Sequence, residues 1–400
     1  MVPSARAEAT SKLHVVYLNY WYEPEMTSLD DLLKTYVTMA RWVQALRTEG
    51  AEVTVFQRFH RNATIERGGV EFVLHEDRQD PRLRKWQRPG SFHRQVQQRS
   101  AAISSQGTLA VVHFNGLHFP LQLRALRAGL PKGSAIAVQH HAERPARGLR
   151  GRLQQWGLGA ADGFLFAASE LASAWVVDGM IRTHQPVYQV MEGSTDFRRQ
   201  DRTSARARTG IRGDPILLWV GRLIALKDPL AVLRGFEAIL HQRPGARLYM
   251  VYGSEALLPE VRACIAQTRL LSGSVTLLGP RPHAELESIY NSADYFVLGS
   301  HYEGSGYALT EALACGVVPV VTDIASFRAL TDGGRIGACW RPGDSAAFAA
   351  AFHRASSESH QIHAERAVKF FEEHLSFTAI ARKAITAYRD LAMKRAGLTP

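Results

Sequence analysis

Tyr295-Phe296-Val297-Leu298-Gly299-Ser300-His301-Tyr302-Glu303-Gly304-Ser305-Gly306-Tyr307-Ala308-Leu309-Thr310-Glu311-Ala312-Leu313-Ala314-Cys315-Gly316-Val317-Val318-Pro319-Val320-Val321 reads as one strand, turn, helix and strand. Tyr295 to Leu298 and Val317 to Val321 are short apolar runs, the kind that a parallel sheet buries on both faces. Gly304 to Gly306 form the turn after the first of them, and the helix that follows continues to Gly316. Such a turn leaves backbone N–H groups free at a helix start, where they and the helix dipole suit a diphosphate. Glu303 precedes the helix and Glu311 lies inside it, eight positions on, so the two carboxylates can address different parts of one elongated ligand. Their natural partners are hydroxyl groups. Taken alone, the same residues also read as a plain turn and an exposed helical glutamate.

The stretch upstream changes that weighting. Leu217-Leu218-Trp219-Val220-Gly221-Arg222-Leu223-Ile224-Ala225-Leu226-Lys227-Asp228 is a strand, a glycine turn with Arg222, and Lys227 at the mouth of the next helix. Asp228 followed by Pro229 is a strong helix start, an N-cap acceptor with proline at the first helical position, and the helix runs to about Gln242. Ligands of open α/β sheets bind at the carboxyl edge of the strands, and paired cations there can neutralise charge growing on a departing diphosphate. Arg247 to Tyr252 and Val275 to Leu278 are further strands, so Ile216 onward reads as a complete doubly wound unit.

The first half alternates in the same way. His14 to Asn19, Val53 to Phe56, Leu109 to Phe114, Ile136 to Gln139 and Gly163 to Ala167 are short apolar runs separated by helical or polar stretches. Leu29 to Glu49 has helical spacing through Leu33, Tyr36, Val37, Ala40 and Val43, and Gly50 stops it. Such alternation argues a mostly parallel sheet. Arg198 to Asp214 is polar and rich in arginine, the best candidate for a linker or boundary helix, and Phe377 to Arg395 reads as a closing helix. A chain of 400 residues has room for two cores.

Composition narrows the class. Hydrophobic residues at 46% and charged residues at 21% are those of a packed globular chain. No apolar run approaches the roughly 20 residues that cross a bilayer, and Arg6, Glu8 and Lys12 stand where a signal peptide needs an apolar stretch, so a cytoplasmic protein is expected. Three separated cysteines, Cys264, Cys315 and Cys339, carry no zinc spacing. A net charge of +11 attracts polyanions without choosing among them. Arg82, Arg84, Lys85, Trp86, Arg88, Phe92, His93, Arg94 and Arg99 mix cations with aromatics, as does Arg144 to Trp156, and either stretch would suit anionic lipid headgroups on the inner face of a membrane or stand as a solvated basic surface. No zinc-finger, basic-zipper or RNA-binding signature is present, so a nucleic-acid partner is not expected. Gly157 to Gly163 imitates a dinucleotide loop but precedes a strand and has its third glycine one place late. Asn62-Ala63-Thr64 fits a glycosylation acceptor that a cytoplasmic chain would not use.

The two motifs, in this order and at this separation, resemble the retaining enzymes of glycosyltransferase family 4. The resemblance runs from Ile216 to Trp340 through Gly221-Arg222, Lys227, Leu278-Gly279, Ala293 to Val297 and Glu303 to Gly316. It implies a GT-B architecture, two Rossmann-like doubly wound domains facing a central cleft: an acceptor-side domain over 1–197, a donor domain over 198–376 and a helix over 377–400 that returns to the first. It implies an enzyme moving a sugar from a nucleotide-diphosphate sugar to a glycan or lipid-linked acceptor with retention of configuration. By the resemblance Gly221, Arg222 and Lys227 hold the diphosphate, Glu303 the sugar hydroxyls and Glu311 the ribose, while Gly304, Ser305, Gly306, Tyr307 and Ala308 add backbone donors. Gly279 and Arg281 lie near the base, with uridine favoured over guanosine. Gln139-His140-His141-Ala142 resembles the place where a histidine reaches the donor; His141 is the first choice and His140, one residue away, the second. Arg222, Lys227, Glu303 and these histidines make up the expected catalytic set.

Tyr22 to Ser28 replaces the paired glycines common after the family's first strand, and Glu192 in Met191 to Asp196 stands where asparagine is common. Neither an Asp-x-Asp pair nor His-Glu-x-x-His occurs, so no metal and no cofactor beyond the donor substrate are expected. The alternative reading is a nucleotide-sugar epimerase or hydrolase on the same scaffold, since fold does not fix reaction.

Overall fold

The computed structural model describes residues 12–21, 25–76 and 90–398. Of the stretches singled out in the sequence, Tyr22 to Pro24 and Arg82 to Arg88 lie outside the described residues. The chain divides into two compact units, Met1–Gly193 with Ile380–Pro400, and Ser194–Ala379. Among the described residues no helix is long and apolar enough to cross a membrane.

The first unit is built on eight strands: β1 Leu13–Asn19, β2 Glu52–Phe59, β3 Ala63–Arg67, β4 Val70–Glu76, β5 Leu109–Asn115, β6 Ala135–Gln139, β7 Gly163–Phe166 and β8 Val187–Gln189. They lie in the order β3-β4-β2-β1-β5-β6-β7-β8. All neighbours are parallel except β3 and β4, a hairpin closed by Gly68 and Gly69, both at positive φ as its tight turn demands. The five apolar runs read from the sequence are the buried strands; β3, β4 and β8 are additional. β3 is an edge strand with an exposed, charged side, and β8 is three half-exposed or exposed residues, so neither shows the apolar signal of a covered strand.

The expected single helix over Leu29 to Glu49 is instead two, Leu29–Thr35 and Val37–Thr48, broken at Tyr36 (φ −99°, ψ 50°). Thr35, Val37 and Thr38 crowd that point with β-branched side chains, which lose rotamer freedom in a helix. The closing helix, Phe377–Ala396, buries Ile380, Ala384, Tyr388 and Leu391 along one stripe. It packs on the first unit: the Tyr388 hydroxyl meets His113 Nδ1 at 2.6 Å, and Leu391 covers Gly163 so closely that a Cβ there would lie 2.7 Å from its Cδ2.

The second unit holds six parallel strands: β9 Ile216–Gly221, β10 Arg247–Tyr252, β11 Val275–Gly279, β12 Tyr295–Leu298, β13 Val318–Thr322 and β14 Ala338–Trp340. Their order is β11-β10-β9-β12-β13-β14. The chain thus winds outward one way from β9 and the other way from β12, which puts the topological switch point, where open α/β sheets bind ligands, between those two strands. The Pro229–Gln242 helix forms as expected, its first turn capped by Asp228, which accepts from the Ala231 N–H at 3.1 Å.

The arginine-rich stretch after Arg198 is no free linker. It contains a capped helix, Arg202–Thr209, whose Arg202 and Arg206 each reach a different oxygen of the buried Asp294 at 2.7 Å. Asp294 also accepts from the Ile216 N–H at 2.7 Å, so this helix is tied to the starts of β9 and β12. Few apolar residues are needed where a carboxylate is already shared by two guanidinium groups.

Candidate functional site

In the second unit the loop after β9 makes a short 3₁₀ turn, Ala225–Lys227, then Asp228 in the left-handed region at φ 40°. This loop lies hard against the loop after β12: His301 N–H donates to the Leu226 carbonyl at 2.9 Å, and His301 Nε2 meets Asp228 at 3.1 Å. Gly299 permits the approach, because a Cβ there would lie 2.8 Å from the Asp228 carbonyl oxygen. The result is that Lys227 and Glu303 form a salt bridge with only 14% and 12% of their side chains exposed. Ser300 Oγ donates to the same Glu303 oxygen at 2.7 Å, and Thr322 from β13 fixes Ser300 through its carbonyl at 2.6 Å. A cation and a carboxylate are therefore held side by side at the switch point. Arg222, on the same loop, is exposed and pairs with no carboxylate among the described residues.

Gly304, Ser305 and Gly306 are buried, and Gly306 opens the Tyr307–Ala314 helix at φ 66°, with no side chain capping the first turn. Its glycine is required twice over: the φ is left-handed, and a Cβ would lie 2.9 Å from Leu330 and 3.1 Å from Phe327. Tyr307 and Ala308 begin the helix, with Tyr307 partly exposed. One turn on, Glu311 Oε1 accepts from His283 Nε2 at 3.2 Å. That hydrogen bond raises the His283 pKa above its ordinary value against a smaller opposing effect of burial, and the Glu311 charge adds to it. Burial, with the same carboxylate's charge, pushes the Tyr290 phenol well above its usual range. Gly279 ends β11 at φ 71° with open space beside it, and Arg281, in the loop beyond, faces Glu285 at 3.7 Å on the surface.

In the first unit the two neighbouring histidines have opposite surroundings. His140 is fully enclosed, stacked on Phe166 at 4.5 Å and donating through Nε2 to the Glu143 carbonyl at 2.9 Å; burial lowers its pKa. His141 keeps 36% of its side chain exposed. Its Nε2 donates to Asn115 Oδ1 at 2.8 Å, its Nδ1 lies 3.7 Å from Glu192, and its backbone N–H donates to the Glu143 carboxylate. Burial works against the imidazolium, but the Glu192 hydrogen bond and charge, with the Glu143 charge, outweigh it and raise the His141 pKa. Asn115 is in turn fixed by the Tyr17 hydroxyl, 2.6 Å from its Nδ2.

Asn115, Glu143, His283 and Ser300 were not singled out in the sequence. Asn115 ends β5 directly before Gly116 and Ser300 follows β12, so position at a strand's carboxyl end was the available signal. Glu143 and His283 carried none. Among the described residues there is no group of three His, Cys, Asp or Glu side chains able to hold a metal ion.

Residues 201–372 match the family described as glycosyl transferases group 1, and through that stretch the chain is related to glycosyltransferases. A D-inositol 3-phosphate glycosyltransferase of Segniliparus rotundus is 34% identical over 128 residues, 31% of this chain and 28% of that protein. The chain thus spans about a third or less of the length of such curated relatives. The sucrose-phosphate synthase of Thermosynechococcus elongatus has the same fold over 95% of this chain and 99% of its own, with TM-score 0.64 and 18% identity. An Anabaena protein, HepE, solved in complex with UDP and glucose, matches over 94% of this chain and 100% of its own, with TM-score 0.62 and 13% identity. Two Rossmann-like α/β domains of this kind are the GT-B fold.

Proposed function

We propose that this protein is a retaining glycosyltransferase of family 4, transferring a sugar from a nucleoside diphosphate sugar to a glycan or lipid-linked acceptor. The observation that carries the reading is the meeting of Lys227 and Glu303 at the switch point of the second unit. In this reading Lys227 and Arg222 hold the donor diphosphate together with the amides at the start of the Tyr307–Ala314 helix. Glu303 accepts from sugar hydroxyls and Glu311 from the ribose. His141, its ring oriented by Asn115 and Glu192, is the first unit's contribution to the reaction.

The chemistry asks for positioning and positive charge rather than a protein nucleophile. The bond from the anomeric carbon to the diphosphate oxygen breaks. The acceptor oxygen bonds to that carbon on the same face, and its proton passes to an oxygen of the departing diphosphate. Lys227 and Arg222 stabilise the charge that develops there, without a metal. Uridine is the base we favour, supported by the UDP complexes of proteins with this fold.

A thermal-shift screen of UDP-, GDP- and ADP-sugars, run in excess EDTA, tests this directly, since a ligand that binds the folded state raises its Tm. A UDP-sugar should stabilise the protein and the Lys227→Ala variant should lose the shift. No response to any nucleotide sugar, or a response only after Mg²⁺ is restored, refutes the donor site as described. Turnover of the donor without acceptor, to an epimer or to free sugar at full rate, assigns the protein to epimerase or hydrolase chemistry instead.

A further inference from the structure

At the opposite edge of the first unit's sheet, a cavity of about 370 Å³ is lined by Arg124, Arg127, Asp162, His184 and Arg395 around Gly159. It lies where β7 begins, with Asp162 just before the strand, whereas His140 and His141 follow the carboxyl end of β6. It is therefore separate from the proposed reaction site.

The cavity has a built floor. Gln185, buried, donates through Nε2 to the Leu158 and Ala161 carbonyls at 3.1 and 2.8 Å, fixing the loop that carries Gly159. Arg127 donates to the Ala160 and Ser134 carbonyls at 3.0 and 2.9 Å and pairs with Asp162, while Arg395 approaches the other Asp162 oxygen at 3.5 Å. Arg124 is held by the Trp156 carbonyl at 2.7 Å and lies over the Trp156 ring at 4.9 Å.

Two guanidinium groups are left with no carboxylate. A Cβ on Gly159 would lie 3.0 Å from Arg124 Nη2 and 3.1 Å from Arg182 Nη2, so both guanidinium groups close on this glycine and the two nitrogens stand within about 6 Å of each other. Neither side chain pairs with an acid among the described residues, and the exposed His184 stands beside them. The nearby carboxylate of Asp162 is already taken by Arg127, Arg395 and the Ile136 N–H, 2.6 Å away. The Arg124–Arg182 spacing is one that a single phosphate bridges when each guanidinium donates to a different oxygen at ~2.8 Å.

We propose that a phosphate group binds at the edge of this cavity, gripped between Arg124 and Arg182 beside Gly159. The group belongs either to a free phosphorylated metabolite or to an anionic lipid headgroup, two sources with the same recognition chemistry. The exposed Trp156 ring on the rim suits the second.

The test uses the full chain, an Arg124→Gln/Arg182→Gln double variant, an Arg182→Gln single variant, and Lys227→Ala as a control for phosphate binding at the donor site. Calorimetric titration with inorganic phosphate and flotation with vesicles of phosphatidylglycerol in phosphatidylcholine are the two readouts. Saturable phosphate binding, weakened at least tenfold in the double variant and unchanged in Lys227→Ala, assigns a soluble ligand. Flotation lost in the double variant, with no phosphate binding in solution, assigns a headgroup. With the arginine variants also made in the Lys227→Ala background, binding in either assay that survives both of them there, or no binding in both, overturns the proposal. Arg182 is exposed and its side chain anchors no backbone group among the described residues, so the single variant keeps the test valid if the double variant loses stability.

Discussion

Replacing Lys227 by alanine separates its structural role from the functional one proposed for it. Its ammonium is almost enclosed with the Glu303 carboxylate, and the only other donor found on that carboxylate among the described residues is Ser300 Oγ at 2.7 Å. Removing the lysine leaves a carboxylate short of charge compensation. A fully enclosed pair broken this way costs ~3–5 kcal/mol, and the residual water access here lowers the expectation to about 2 kcal/mol. In a unit of this size that is a Tm loss of about 4–8 °C. If Lys227 also stabilises charge on the leaving diphosphate, turnover falls in addition by a factor on the order of 100, about 2.7 kcal/mol of transition-state stabilisation. The assay is a double-mutant cycle on Lys227→Ala and Glu303→Gln, reading Tm and kcat/KM together. Neutralising Glu303 in the Lys227→Ala background should restore most of the lost stability, since no unpaired charge remains, yet restore none of the activity. Recovery of both together would show that the lysine serves only to hold Glu303, and Lys227→Ala turnover within threefold of the wild type would refute the diphosphate role.

The two histidines should respond in opposite ways. His140→Ala empties a fully enclosed, stacked site and should cost about 2–4 kcal/mol in denaturant unfolding, whereas His141→Ala should cost less stability than that and lower kcat at least tenfold. The His283–Glu311 hydrogen bond carries a pH signature. Because the folded-state pKa of His283 is raised, its stabilising contribution is complete below the unfolded value near 6.5 and is lost as pH rises through the folded one. The stability gap between wild type and His283→Ala should be largest below about pH 6.5 and shrink as pH rises above it, and with this exposed histidine it should stay under about 1 kcal/mol; a gap that grows with pH contradicts the pairing. Gly306→Ala, forced to φ 66° against Leu330 and Phe327, should cost about 1–3 kcal/mol by thermal unfolding.

Strands covered on both faces were legible because burial leaves their composition no freedom. Arg247–Tyr252 and Tyr295–Leu298 match the observed bounds, and β1, β2, β5, β6, β7, β9, β11 and β13 were found within a few residues. Strands at sheet edges answer to different constraints. Ala63–Arg67 pairs on one side only, and Ala338–Trp340 is three residues whose neighbours, Gly337 and Arg341, carry no strand pattern. Tyr36 shows the complementary failure: the apolar spacing across Leu29 to Glu49 is continuous, and only backbone preference interrupts it.

The candidate site divides along the same line. Lys227 and Glu303 are 76 residues apart, but each lies in the loop after a central strand, and the switch-point rule makes β9 and β12 neighbours, so their shared edge could be inferred before any contact was known. That they neutralise each other in the ligand-free chain could not, because it depends on how closely Gly299 lets two loops approach. The same pairing bears on how the donor would be held. A diphosphate arriving at Lys227 competes with a carboxylate already in place, and a sugar hydroxyl arriving at Glu303 competes with an ammonium. A ligand that brings both groups at once replaces each lost contact as it forms, whereas a nucleoside diphosphate without its sugar separates the pair and leaves Glu303 with Ser300 alone. If the proposed donor site is correct, the preformed salt bridge biases it toward intact donor over spent product, a discrimination that the Glu303→Gln variant should weaken.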